Sequence, residues 1–140
     1  MLRVVLDTNV FISGIKSQNT PPGQILDAWR RQQFVLIASP QLIIELHEVL
    51  LRPGVLKLLR KTTFEVNEFI KTLNLKSFVT EGILEVSELK DDPDDNMILA
   101  CAIEGLAKYI VTGNKKHFPF ADYKGIKILS PREYLELLNK

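Results

Sequence analysis

The alternation of apolar runs and polar breaks along the chain predicts alternating strands and helices. Leu2-Arg-Val-Val-Leu6 is a short, β-branched-rich run, expected to be a buried strand that ends at Asp7. Val10 to Lys16 reads as one or two helical turns, and Ser17 to Gly23, with Pro21 and Pro22, as a loop. Gln24 to Gln33 carries Ile25, Leu26, Ala28 and Trp29 on or near one face and predicts a helix. Phe34 to Ala38 is a second strand. Ser39-Pro40 then supplies a cap and a first-turn proline for a helix running to about Leu51, with its apolar stripe at Leu42, Ile43, Leu46, Val49 and Leu50.

Pro53-Gly54 stops that helix, and shorter helical stretches follow at Val55 to Arg60 and Phe64 to Leu75. Ile83 to Val86 reads as a modest strand. Asn96 to Leu106 has an apolar run from Met97 to Ile103 with no polar side, the pattern of a helix buried on several faces. Tyr109 to Val111 and Ile126 to Leu129 are further strands, and Ser130-Pro131 opens a last helix through Tyr134, Leu135, Leu137 and Leu138. This order predicts an α/β fold: a mainly parallel sheet of four to five strands flanked by helices. With 140 residues the expectation is one domain, 1–140.

Composition narrows the class. The chain is 46% hydrophobic and 25% charged, which argues against wholesale disorder. The single cysteine, Cys101, excludes an internal disulfide and a four-cysteine zinc cluster, and its place in the apolar run makes it core. No apolar run approaches the roughly 18 residues of a membrane helix. Arg3 and Asp7 near the N-terminus do not suit a signal peptide. The expected location is the cytoplasm.

The formal charge is only +1, but it is unevenly spread. Seven acids (Glu81, Glu85, Glu88, Asp91, Asp92, Asp94 and Asp95) face Lys90 alone, a local balance of −6. Arg52, Lys57, Arg60 and Lys61 have no acid among them, and Lys115, Lys116 and Lys124 form a thinner basic group. Separate zones of this kind can take cations at one and phosphates at the other.

Open α/β sheets bind ligands at the carboxyl ends of their strands. Asp7 follows the first strand directly. Glu45 lies beside the apolar stripe of the helix after the second, able to lean towards the sheet. Asp94 and Asp95 precede the buried helix, and Asn114 stands three residues past Val111. Singly, each has an ordinary role as cap, surface residue or loop. Together they bring oxygen ligands from four segments to one edge, a set suited to Mg²⁺ or Mn²⁺ and so to phosphodiester hydrolysis.

These residues resemble a known family. Leu6-Asp7-Thr8-Asn9-Val10, Glu45 in Leu42-Ile-Ile-Glu45-Leu46, Asp91 to Asn96 before an apolar helix, and Ile110-Val-Thr-Gly-Asn114-Lys-Lys-His-Phe118 resemble, in that order, the motifs of PIN-domain ribonucleases. The resemblance spans nearly the whole chain and is strongest to the VapC-like toxins of type II toxin–antitoxin pairs. It implies a three-layer PIN-like domain and a Mg²⁺- or Mn²⁺-dependent endoribonuclease. It also implies a homodimer and a cognate antitoxin protein as partner. By position, Asp7, Glu45 and Asp95 would form the acidic triad, with Asp7 and Asp95 holding the metal. Asn9 would brace the first Asp, and Thr112 would match the Ser or Thr before the last acidic position. Many relatives carry a fourth acid where this chain has Asn114, which still offers an oxygen but no charge. Lys115 and Lys116 are candidates to contact the RNA backbone, as is the Arg52/Lys57/Arg60/Lys61 group.

Two alternatives compete. An aspartyl phosphatase needs a second acid two residues after the first, and Asn9 occupies that place. A lapsed site, marked by Asn114, would leave a catalytically weak or inactive module that binds RNA or the antitoxin.

Overall fold

The computed structural model describes residues 1–87 and 92–140 and, at residue 117, the backbone alone. Its strands are β1 (Arg3–Leu6), β2 (Val35–Ala38), β3 (Phe78–Val79), β4 (Tyr109–Val111), β5 (Asp122–Tyr123) and β6 (Ile126–Leu129). They form one six-stranded sheet in the order β3-β2-β1-β4-β6-β5, parallel throughout except for the antiparallel β5–β6 pair at one edge. The two strands not foreseen, β3 and β5, are two residues long, too short to carry a periodicity.

The helices are α1 (Thr8–Lys16), α2 (Pro21–Arg30), α3 (Pro40–Leu50), α4 (Pro53–Leu59), α5 (Thr63–Lys76), α6 (Pro93–Glu104) and α7 (Pro131–Leu138). Strand side chains alternate between two cores. Val4, Leu6, Leu36, Tyr109 and Val111 join the larger one, which contains Trp29 and Tyr134. Val5, Ile37, Ile110, Ile126 and Ile128 join the smaller one, under α6. Helices therefore cover both faces, as the continuous apolar strands require.

Three local expectations are corrected. Pro21 and Pro22 do not lie in a loop; they open α2, because Thr20 caps it and proline suits the first helical turn. Likewise α6 starts at Pro93 rather than near Asn96, capped by Asp92, whose carboxylate accepts from the Asp95 N–H at 3.1 Å. Asp94 and Asp95 thus lie inside the first turn instead of before it. Finally, Ile83 to Val86 is not a strand. The Gly82, Ile83 and Leu84 N–H groups donate to the Glu104 carboxylate, at 2.7, 3.1 and 3.2 Å. Two of the run's ladder donors are thereby taken by a side chain, and Ile83 stays 75% exposed.

The apolar run of α6 from Met97 to Ile103 is explained by its surroundings. Ile98, Leu99, Cys101 and Ala102 are buried in the smaller core, while Met97, Ala100, Cys101 and Glu104 line a small cavity together with Gln41, Gly82 and Leu84. Cys101 is 1% exposed, and burial pushes its thiol up to about 12, which makes it an inert packing residue. No helix among the described residues is long and apolar enough to cross a membrane.

Candidate functional site

β1, β2 and β4 end at one edge of the sheet, and the turns that follow them carry the site. Asp7 directly follows β1. Its carboxylate makes no capping bond to α1 and serves the edge instead. The buried Thr112, just past β4, donates its hydroxyl to Asp7 Oδ2 at 2.7 Å. Asn9 Nδ2 donates to the same oxygen at 3.3 Å, and Asn9 Oδ1 accepts from the Gly113 N–H at 3.0 Å. Asn9 therefore ties the start of α1 to the turn after β4 while fixing the acid between them.

The acids from separate segments meet in an open groove of about 320 Å³. Asp7, Thr8, Asn9 and Ile12 line it from the β1 side, Glu45, Val49 and Arg52 from α3 and its end, and Asp92, Asp94, Asp95 and Ile98 from α6. Asp7 and Asp95 are buried at 9% and 4% exposure, Glu45 is half-buried, and Asp94 is exposed. Asp95 is thus the acid of its run that is buried at the groove, while Asp92 caps the helix and Asp94 reaches Glu45. Asp91 lies outside the described residues.

Glu45 shows what the crowding does. Burial raises its carboxyl to about 7, with further upward pushes from the Asp94 hydrogen bond and from the charges of Asp94 and Asp7. Arg52 pulls it back only in part. A half-buried acid with two anionic neighbours retains a proton near neutral pH.

Among the described residues no three His, Cys, Asp or Glu side chains converge closely enough to chelate one ion on their own. A hard divalent cation needs only one or two carboxylates when water fills the rest of its octahedron. Asp7 and Asp95, both buried and both lining the groove, are donors of the right chemistry for that arrangement. The fit is to a water-rich ion, not to a closed protein cage.

Asn114 stands apart from the other sequence candidates. It is half-buried and its N–H donates to Thr112 Oγ1 at 3.1 Å, but it does not line the groove. Lys115 and Lys116 follow it in an exposed 3-10 turn, with Lys115 Nζ 2.9 Å from Glu133 Oε1. Of the other basic group only Arg52 lines the groove, and Lys61 pairs instead with Glu65 at 3.7 Å. A capping role was among the ordinary expectations for the acidic run, and Asp92 takes it. Asp92 as cap was signalled by Asp92-Pro93, the same signature as Ser39-Pro40. The Asp94 bond to Glu45 has no local signal, because it depends on how α3 and α6 face each other.

A profile of the PIN domain family matches residues 3–116. The chain is also similar to an uncharacterized protein of Methanocaldococcus jannaschii, 32% identical over 149 residues, covering 99% of this chain and 93% of that protein. The matched region contains every described residue that braces or lines the groove, from Asp7 to Gly113, and the chain belongs to the PIN domain family.

Proposed function

We propose that this chain is a metal-dependent endoribonuclease that hydrolyses RNA phosphodiesters in the cytoplasm as the toxin of a toxin–antitoxin pair. PIN domains are generally nucleases, and a nuclease-type function follows from the family. The observation that carries the finer reading is the groove in which Asp7 and Asp95 are buried beside Glu45. The toxin role, the antitoxin partner and the homodimer rest on the resemblance of the ordered motifs to VapC-like proteins.

In this reading Asp7 and Asp95 would hold Mg²⁺ or Mn²⁺. The chemistry a divalent ion supplies in such a site is polarisation of a phosphoryl oxygen and acidification of water. Thr112 and Asn9 hold the Asp7 carboxylate in place. Glu45, with a pKa near the working pH, accepts a proton from the attacking water. No covalent intermediate forms. Asn114 positions a water or a phosphate oxygen at the rim, and Lys115 and Lys116 guide the backbone in a salt-sensitive way.

A specific observation favours a second reading, a weak or inactive module binding RNA or antitoxin. Asn114 brings no charge to the edge and does not line the groove. Incubation of a structured RNA with the protein in Mg²⁺, Mn²⁺ or EDTA, beside Asp7→Asn and Asp95→Asn, separates the two. Cleavage confined to wild type with metal is expected. No cleavage in any metal by the folded protein supports the module, and undiminished cleavage by both variants overturns the site.

A further inference from the structure

We propose that the aromatic recess beyond the Lys115–His117 turn is a subsite that stacks a nucleobase of single-stranded RNA whose backbone crosses the acidic groove. The proposal rests on the reading of the chain as a nuclease acting on RNA and adds to it a place where a base is held. The recess, about 240 Å³, is lined by Lys115, Phe118, Pro119, Phe120, Ala121 and Ile128.

Its position follows from the fold. Ile128 and Phe118 belong to the smaller core, the one that α6 covers, so the recess lies on the same face of the sheet as Asp95. It also lies towards the same edge. Ile128 is level with Ile110 near the carboxyl ends of β6 and β4, and Thr112, one residue past β4, bonds Asp7. The Asn114 N–H bond to Thr112 then leads directly into the turn that carries Lys115.

Its chemistry suits a base. Phe120 is half-buried, and its ring packs against Tyr123 at 4.8 Å between centroids and against Phe118 at 6.4 Å. The Phe120 ring is thus held in place while part of it stays open, as a stacking platform requires. Between residues 112 and 130 there are four lysines, Lys115, Lys116, Lys124 and Lys127, against Asp122, and Glu133 beyond that stretch pairs with Lys115. All four lysines are exposed. Lys115 on the recess wall and the exposed Lys116 beside it put cations next to an aromatic floor, which matches a polyanion whose bases have π-faces, and aromatic stacking is tolerant of which base is presented.

The test uses the whole protein in EDTA, where binding is read without cleavage. A fluorescein-labelled single-stranded RNA oligonucleotide containing one 4-thiouridine is titrated and then photo-cross-linked. Wild type is expected to bind it and to form an adduct within residues 118–123. Phe120→Leu is expected to weaken binding at least about fivefold, and Phe120→Tyr to restore it, since stacking is lost in one and kept in the other. Phe64→Leu, at an exposed position on α5, is expected to leave binding unchanged. Wild-type binding with adducts only outside 118–123, or with Phe120→Leu as tight as wild type, overturns the subsite and leaves the nuclease reading standing. An absence of RNA binding by wild type, with the fold intact, overturns the subsite, and an absence of cleavage in Mg²⁺ or Mn²⁺ as well overturns both.

Discussion

Thr112 and Asp7 are 105 residues apart in sequence, yet the Thr112 hydroxyl donates to Asp7 Oδ2 at 2.7 Å. The contact exists because β1 and β4 are parallel neighbours in register, Leu6 beside Val111, so the residue after each strand arrives at the same edge. Thr112 also accepts from the Asn114 N–H. One fully buried hydroxyl therefore orients the first acid and starts the turn that carries the basic residues.

Thr112→Val keeps the shape and removes both bonds. Leaving buried polar groups without that hydroxyl costs about 1–3 kcal/mol. Urea denaturation is expected to show a lowered midpoint with an unchanged slope, and metal-dependent cleavage is expected to fall with it. A variant as stable as wild type would show that the hydroxyl contributes nothing net.

Asn114→Asp supplies the charge missing from the edge. The substitution is expected to tighten Mn²⁺ binding in titration calorimetry, about tenfold for each 1.4 kcal/mol of added interaction. No gain would place Asn114 outside the ligand sphere, consistent with its position away from the groove lining.

The degree to which the sequence reveals this molecule varies with how local each determinant is. Runs such as Val4-Val5-Leu6 and Tyr109-Ile110-Val111 are apolar at every position because both faces of the sheet are covered, and that is readable from composition alone. Asp7 and Thr112 are found by following strands to their ends. Ile83 to Val86 misleads, because its β-like composition says nothing of a carboxylate 21 residues away at Glu104 that takes the Ile83 N–H. The Glu45 environment is equally non-local. Helical periodicity puts Glu45 beside the apolar stripe, but only packing brings Asp94 of α6 to it.

Glu104 is expected to hold the segment after β3 in place. Burial pushes its carboxyl up, but the Gly82 bond, the Thr80 hydroxyl and the Ile83 and Leu84 bonds outweigh that and hold it below the usual carboxylate range. The depressed value makes its contribution present above the ordinary pKa of about 4.5 and lost as pH falls below it. Glu104→Ala is expected to speed amide hydrogen exchange at Gly82, Ile83 and Leu84 at neutral pH, while β1 and β4 amides remain protected. Unchanged exchange at those three amides would show that the segment is held by other contacts.

Glu45 gives the metal-free protein a stability that declines with rising pH. Its folded-state pKa, about 7, lies above the ordinary 4.5, chiefly through burial and then through Asp94 and Asp7, against Arg52. A carboxyl raised in this way holds its proton more tightly in the folded state. Its contribution is complete below about 4.5, is lost as pH climbs through about 7, and is constant above that. Partial exposure screens the effect, so its direction, rather than its size, is the diagnostic. In EDTA the wild-type thermal midpoint is expected to fall relative to Glu45→Gln across that window, and the gap between them to level off at higher pH. Asp94→Asn removes both a neighbouring charge and the anionic partner, and is expected to shift the window to lower pH. Arg52→Ala removes a cation that opposes the rise, and is expected to shift it higher. Parallel pH profiles for wild type and Glu45→Gln would mean that Glu45 does not carry a shifted proton. The general-base role proposed for it would then lose its physical ground.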